Sequence, residues 1–145
     1  MLKSSVQAYS LFRRKIMAKE TMEIMAYQGV DKVTDIYGVF GWKLLSQKGI
    51  YGLELTMYRE TEQPHYEELV AAQKLYEAKE KEARSLKKPV KPDEPGLFDF
   101  KGKKEYKQKL ADFFHAETVC ETTRSNLYKE MKQIVEDCRL KYFTE

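Results

Sequence analysis

Apolar residues recur at helical spacing in three stretches of this chain. The longest lies near the C-terminus, where Tyr106, Leu110, Phe113, Glu117, Cys120, Arg124, Leu127, Met131, Ile134, Cys138 and Lys141 alternate by four and three. That is the period of a coiled-coil seam. Glu117 and Arg124 interrupt it: they answer opposite charge on a partner or mark an exposed stretch of the line, and the second is favoured because burying an ion pair is costly. After Pro64, Leu69, Ala72, Tyr76, Ala83 and Leu86 hold the same spacing, with Glu77–Lys81 and Glu80–Arg84 at i, i+4 on the solvated face. At the start, Val6, Tyr9, Phe12, Ile16, Ile24 and Tyr27 predict a helix over about residues 4–28, closed by Gly29 as its C′ glycine.

The breakers fall between these stretches. Every Gly and Pro lies within residues 29–64 or 89–102. The second group sits in KKPVKPDEPGLFDFKGKK and predicts a reversal over 87–102, hence an antiparallel helical hairpin over 64–145. At ~1.5 Å per residue its arms, 65–88 and 103–143, are about 36 and 60 Å long. The long arm therefore overhangs, and its seam needs cover from the first helix or from a partner chain. Leu110, Phe113, Leu127, Met131 and Ile134 are the residues expected to form that partner seam. Leu97, Phe98 and Phe100 at the reversal are expected to cap the hairpin.

Residues 33–58 read VTDIYGVFGWKLLSQKGIYGLELTMY and fit two patterns. Glycines among bulky aromatics permit close backbone approach, as in packed membrane helices. Asp35, Lys43, Gln47, Lys48 and Glu54 nevertheless break any apolar run long enough for hydropathy alone to mark a span. The competing pattern is a loop-rich, partly buried segment with a strand in YGLELTMY, residues 51–58, where apolar and polar positions alternate. With few breakers and long periodic runs, the expected fold class is all-α. Its divisions are a basic amphipathic helix (1–28), a Gly-rich membrane-associated segment that is helical and membrane-proximal or transmembrane (29–63), and the hairpin (64–145).

Composition narrows the classes. In 145 residues, 42% are hydrophobic and 34% charged, which excludes a disordered, collagen-like or disulfide-rich chain. Cys120 and Cys138, eighteen residues apart on one helix, are about 27 Å apart and cannot pair with each other. The net charge of +3 is unevenly placed: residues 1–19 hold five basic groups and no acid. An acid-free, Ser- and Arg-containing start resembles a mitochondrial presequence, or a basic interfacial helix on an anionic membrane. A plain surface helix of a soluble bundle has the same pattern. No GxxxxGK, GxGxxG or HExxH motif occurs, and His65 and His115 have no companions at metal-ligand spacing. No catalytic residue, metal, nucleic acid or small-molecule substrate is therefore expected.

The stretch 21–53, about a quarter of the chain, resembles the membrane end of subunit g of the mitochondrial F-type ATP synthase. Lys48, Gly49, Ile50 and Gly52 match that family's basic, Gly-aliphatic-x-Gly close; Ser46 stands for its second small residue, and Gly29 for an upstream helix-interrupting glycine. Trp42 departs from the first small position, and Lys43 lies where the family has an acid. The resemblance implies a non-catalytic accessory subunit of the membrane sector in the mitochondrial inner membrane. Such a subunit packs with sister single-pass subunits and supports enzyme dimers and membrane shape. Helix packing would fall to Gly38, Gly41, Ser46, Gly49 and Gly52. Contact with anionic lipid such as cardiolipin would fall to Arg13, Arg14, Lys15, Lys43 and Lys48. The alternative is a soluble, intracellular helical adaptor acting through the 106–142 seam.

Overall fold

The computed structural model describes residues 19–143. Their order is β1 (Lys19–Met25), α1 (Val30–Gly38), β2 (Lys43–Lys48), β3 (Glu54–Glu60), α2 (Tyr66–Ser85) and α3 (Phe100–Tyr142). The chain is mixed α/β rather than all-α, with a three-stranded antiparallel sheet ordered β1-β3-β2. It divides into two units: residues up to Leu75 together with those from Ile134 onward, and residues Tyr76–Gln133.

In the first unit, period two prevails over period 3.6. β1 alternates between exposed Lys19, Thr21, Glu23 and Met25 and half-buried Glu20, Met22 and Ile24. The second set pairs with Arg59, Met57 and Leu55 of β3, which are buried. Ile24 thus belongs to a sheet face, not to the stripe of a first helix. Gly29, expected to end that helix, instead precedes α1. β3 realises the strand that the alternation of residues 51–58 allowed.

A transmembrane helix in 29–63 is corrected on the same ground. Gly49 and Gly52 have φ of 94° and 66°, a left-handed region that favours glycine, and they close the β2–β3 hairpin. They serve a turn, not helix packing. Among the described residues, no helix is long and apolar enough to cross a membrane. Phe40, Val39, Trp42, Val33 and Tyr37, from α1 and the turn after it, fill the core of this unit, with Leu69 of α2.

In the second unit, α2 and α3 run antiparallel. Lys79 Nζ donates to Glu130 Oε2 at 2.7 Å, and the Cys120 thiol donates to the Lys87 carbonyl at 3.6 Å. Tyr76, Ala83, Leu127 and Met131 are buried. Residues 86–96 form neither helix nor strand, and within them Pro89, Pro92 and Pro95 are half-buried while the residues between are exposed. A burial period of three is that of polyproline II. The thirteen residue steps from Lys87 to Phe100 reach about 40 Å in that form, enough to return along the ~30 Å of α3 between Cys120 and Phe100. Pro89 sits beside Glu117, Cys120 and Arg124. The chain's own proline segment therefore lies against α3 at least at Glu117, Cys120 and Arg124, and has the length to follow the helix back towards Phe100. Tyr106, Leu110, Phe113 and Glu117 are half-buried.

Candidate functional site

The densest polar chemistry in the structure gathers around Arg59, which the β3 alternation points inward between Met57 and the core. Its side chain is 4% exposed. Nε donates to Glu20 Oε1 at 2.5 Å; Nη1 donates to the Phe40 carbonyl at 3.1 Å and to Gln73 Oε1 at 2.8 Å. The guanidinium lies 4.3 Å from the Trp42 ring centroid and 5.2 Å from that of Tyr66. Trp42 Nε1 donates to the same Gln73 oxygen at 2.7 Å, and the Tyr66 hydroxyl donates to Glu20 Oε1 at 2.9 Å. Burial, and next the bond to Glu20, push the Tyr66 phenol up from its ordinary pKa. A planar, permanently charged fork flanked by aromatic rings suits such a site; an ammonium does not.

This cluster joins β1, the turn after α1, β3 and α2 through one charge. No buried side-chain nitrogen or oxygen among the described residues lacks a partner. Its groups are spent on one another, so the cluster is a fastening. Of its members only Trp42 drew notice in the sequence, as a departure from a small-residue motif and not as a partner of Arg59. A signal existed in LELTMYRE: read as a strand, it places Arg59 on the same face as Leu55 and Met57.

What the cluster fastens is the start of β2, because Trp42 immediately precedes Lys43. Among the described residues β2 is an edge strand whose single neighbour in the sheet is β3, and all six of its residues are exposed. Its register slips between Leu44 and Ser46, which sets Leu45 in a bulge. The hairpin turn beyond it displays Ile50 and Tyr51 at 94% and 84% exposure. Tyr27 is exposed at the same end of the sheet, where the Ala26 amide donates to the Leu53 carbonyl.

The residues singled out from the sequence distribute as follows. Ser46, Lys43 and Lys48 lie on β2, and Gly49 and Gly52 in its hairpin turn, so these five share one hairpin. Lys48 is 3.7 Å from Glu23 of β1. Gly38 ends α1, and Gly41 lies in the turn to β2, where a Cβ would meet the Gln63 amide at 2.7 Å. Arg13, Arg14 and Lys15 lie outside the described residues. Of the seam, Leu127 and Met131 are buried, and Leu110, Phe113 and Ile134 are half-buried.

A smaller exposed cluster holds the end of α3 to the start of α2 in the first unit. The Tyr142 hydroxyl donates to Glu68 Oε2 at 2.5 Å, His65 Nδ1 is 3.4 Å from the same oxygen, and the His65 and Tyr142 rings are 4.8 Å apart. The Tyr142 hydrogen bond holds the Glu68 carboxyl below its ordinary pKa of 4.5. A depressed carboxylate pKa stabilises the fold above the unfolded value, and that contribution disappears as pH falls through the folded one. Tyr142→Phe is thus expected to raise the Glu68 pKa in a carboxyl NMR titration and to remove this contribution at neutral pH. An unchanged Glu68 titration would show that the hydrogen bond does not form in solution.

No known protein family, curated protein or solved structure matches this chain.

Proposed function

We propose that this chain is a non-catalytic adaptor whose β2 edge takes up an extended segment of a partner protein by strand addition. The observation that carries this reading is an edge strand exposed at every residue, held at its root by the Arg59 cluster and extended by an exposed Ile50–Tyr51 turn. An open edge offers unpaired backbone groups to an added strand, and side-chain positions beside it supply specificity. Here Leu44 and Leu45 supply apolar contact, and Lys43 and Lys48 supply charge at the two ends.

The same lysines select the partner. Antiparallel pairing of two copies about Leu45 and Ser46 sets Lys43 against Lys48 of the other copy, and like charges directly opposite are destabilising. The favoured partner strand is apolar at its centre and acidic at its ends. The accessory, non-catalytic character implied by the subunit g resemblance is kept in this reading.

Selection of displayed random peptides against the full chain tests it. Enriched peptides should be extended, apolar and acid-flanked, and should protect amides of residues 43–48 from hydrogen exchange. Leu45→Asp should abolish their binding without lowering the unfolding midpoint. Protection elsewhere, or peptides that bind Leu45→Asp equally well, would overturn the reading.

A further inference from the structure

The reversal between α2 and α3 does not cap itself. Leu97, Phe98 and Phe100 were expected to close the end of the hairpin, yet they are 76%, 83% and 72% exposed. Nor are they displayed by a loose loop. Asp99 Oδ1 accepts the Gly102 amide at 2.8 Å as an N-cap, its carbonyl accepts the Lys103 amide, and its own amide donates to Gly96. Lys103 Nζ donates to the Leu97 carbonyl at 2.8 Å and lies 5.5 Å from the Phe100 ring centroid. Three large apolar side chains thus stand in water on a hydrogen-bonded turn, a costly arrangement for a surface without a partner.

The charge around them has one sign in excess. Residues 97–109 carry Lys101, Lys103, Lys104, Lys107 and Lys109 against Asp99 and Glu105, a net +3 equal to that of the whole chain. All five lysines are exposed. At 100° per residue they surround the first turns of α3 on every side except that of the Tyr106–Leu110 seam. Their stems are long enough to lie along an apolar apex while the ammonium groups reach outward.

We propose that this tip, with Leu97, Phe98 and Phe100 at its apex and the lysine collar behind them, docks on the surface of an anionic lipid bilayer. The apex enters the boundary between headgroups and acyl chains, and the lysines meet the lipid phosphates. A single-stranded nucleic acid would answer the lysines and stack on Phe98 and Phe100, but it would leave the aliphatic Leu97 in water. An anionic bilayer satisfies all of them. The site uses no residue of the β2 edge, so it stands or falls independently of the adaptor reading.

Flotation of the full chain with phosphatidylcholine vesicles, with and without phosphatidylserine, tests it. The chain should float with the anionic vesicles only, and less as salt is raised. Phe98→Ser with Phe100→Ser should lower the partition coefficient at least tenfold. Lys104→Glu with Lys107→Glu should lower it more than twentyfold, since each lysine near such a surface contributes about fivefold. Circular dichroism should show unchanged helicity for both pairs, whose side chains are exposed. A Phe98→Trp chain should show an emission blue shift with anionic vesicles that the wild type, with only buried Trp42, does not. Equal flotation with neutral vesicles would overturn the proposal. So would flotation indifferent to the Phe pair but lost on replacing Arg13, Arg14 and Lys15 by Ala, or binding to RNA with none to vesicles.

Discussion

Arg59→Ala is expected to destabilise the protein by about 2–5 kcal/mol, the scale of truncating a large buried side chain and leaving a buried acceptor without its donor. The substitution leaves the Phe40 carbonyl and the Gln73 side-chain oxygen without the guanidinium they face, and takes the cation from between Trp42 and Tyr66. Glu20 is about one-third exposed and can turn to water. Glu20→Gln keeps an acceptor for Arg59 Nε but takes the counter-charge from a buried guanidinium, and should cost about 1.5–3 kcal/mol, the range of a hydrogen bond to a charged group. Arg59→Lys should recover little, because an ammonium cannot bond Glu20, Phe40 and Gln73 while stacking on both rings. Urea unfolding followed by Trp42 fluorescence measures all three. A loss below about 1 kcal/mol for Arg59→Ala, the scale of an ordinary surface substitution, would remove the cluster as the fastening of this unit.

Leu127→Asp should unfold the second unit rather than disperse an oligomer. Leu127 is 6% exposed, in the unit where Tyr76 and Ala83 of α2 and Met131 of α3 are buried too. Losing a buried Leu side chain costs about 2–5 kcal/mol, and an unpaired carboxylate in its place adds to that. The expected result is a large loss of ellipticity at 222 nm, or a midpoint far below that of wild type. The seam as a free docking face makes the opposite forecast: full helicity with lost self-association. Sedimentation and circular dichroism on the same sample separate the two, and a folded, dissociated Leu127→Asp chain would return the seam to a partner.

The helical part of the fold is legible because each element carries its own period. Leu69, Tyr76 and Ala83 keep a seven-residue spacing, and the 106–138 line does so over several heptads, so α2 and α3 lie where those patterns put helices. The proline segment was legible as a break but not as a cover. Pro89, Pro92 and Pro95 have the spacing of a polyproline II face, and only their half-burial, with Pro89 beside α3, gives that spacing a role. The sheet was the least legible part. KETMEIM alternates, but its Ile24 also fits the helical spacing that leads to Tyr27, and six to seven residues are too few to separate the two periods. β2, with KLLSQK exposed throughout, has no amphipathic period at all; it is a strand because β3 lies beside it.

The same division holds for the sites. Leu97, Phe98 and the surrounding lysines were visible as residue types, but whether the apolar group turned inward or outward depended on the Asp99 cap and the Lys103–Leu97 bond. The glycines of the hairpin were visible too, and their density fitted close helix packing as well as tight turns. Backbone dihedrals separate those uses, and composition does not carry them.

The sequence by itself determined where long helices lie, where the chain must turn and how its charge is spread, since each follows from interactions among residues near in the chain. Tertiary structure alone decided that residues 19–25 and 43–48 pair with 54–60 in a sheet, that Arg59 is buried among Glu20, Trp42, Tyr66 and Gln73, and which apolar groups face water. Those outcomes depend on pairings across tens of residues, such as the 46 between Glu20 and Tyr66. A strand's partner, unlike a helix's, is not written in its own neighbours.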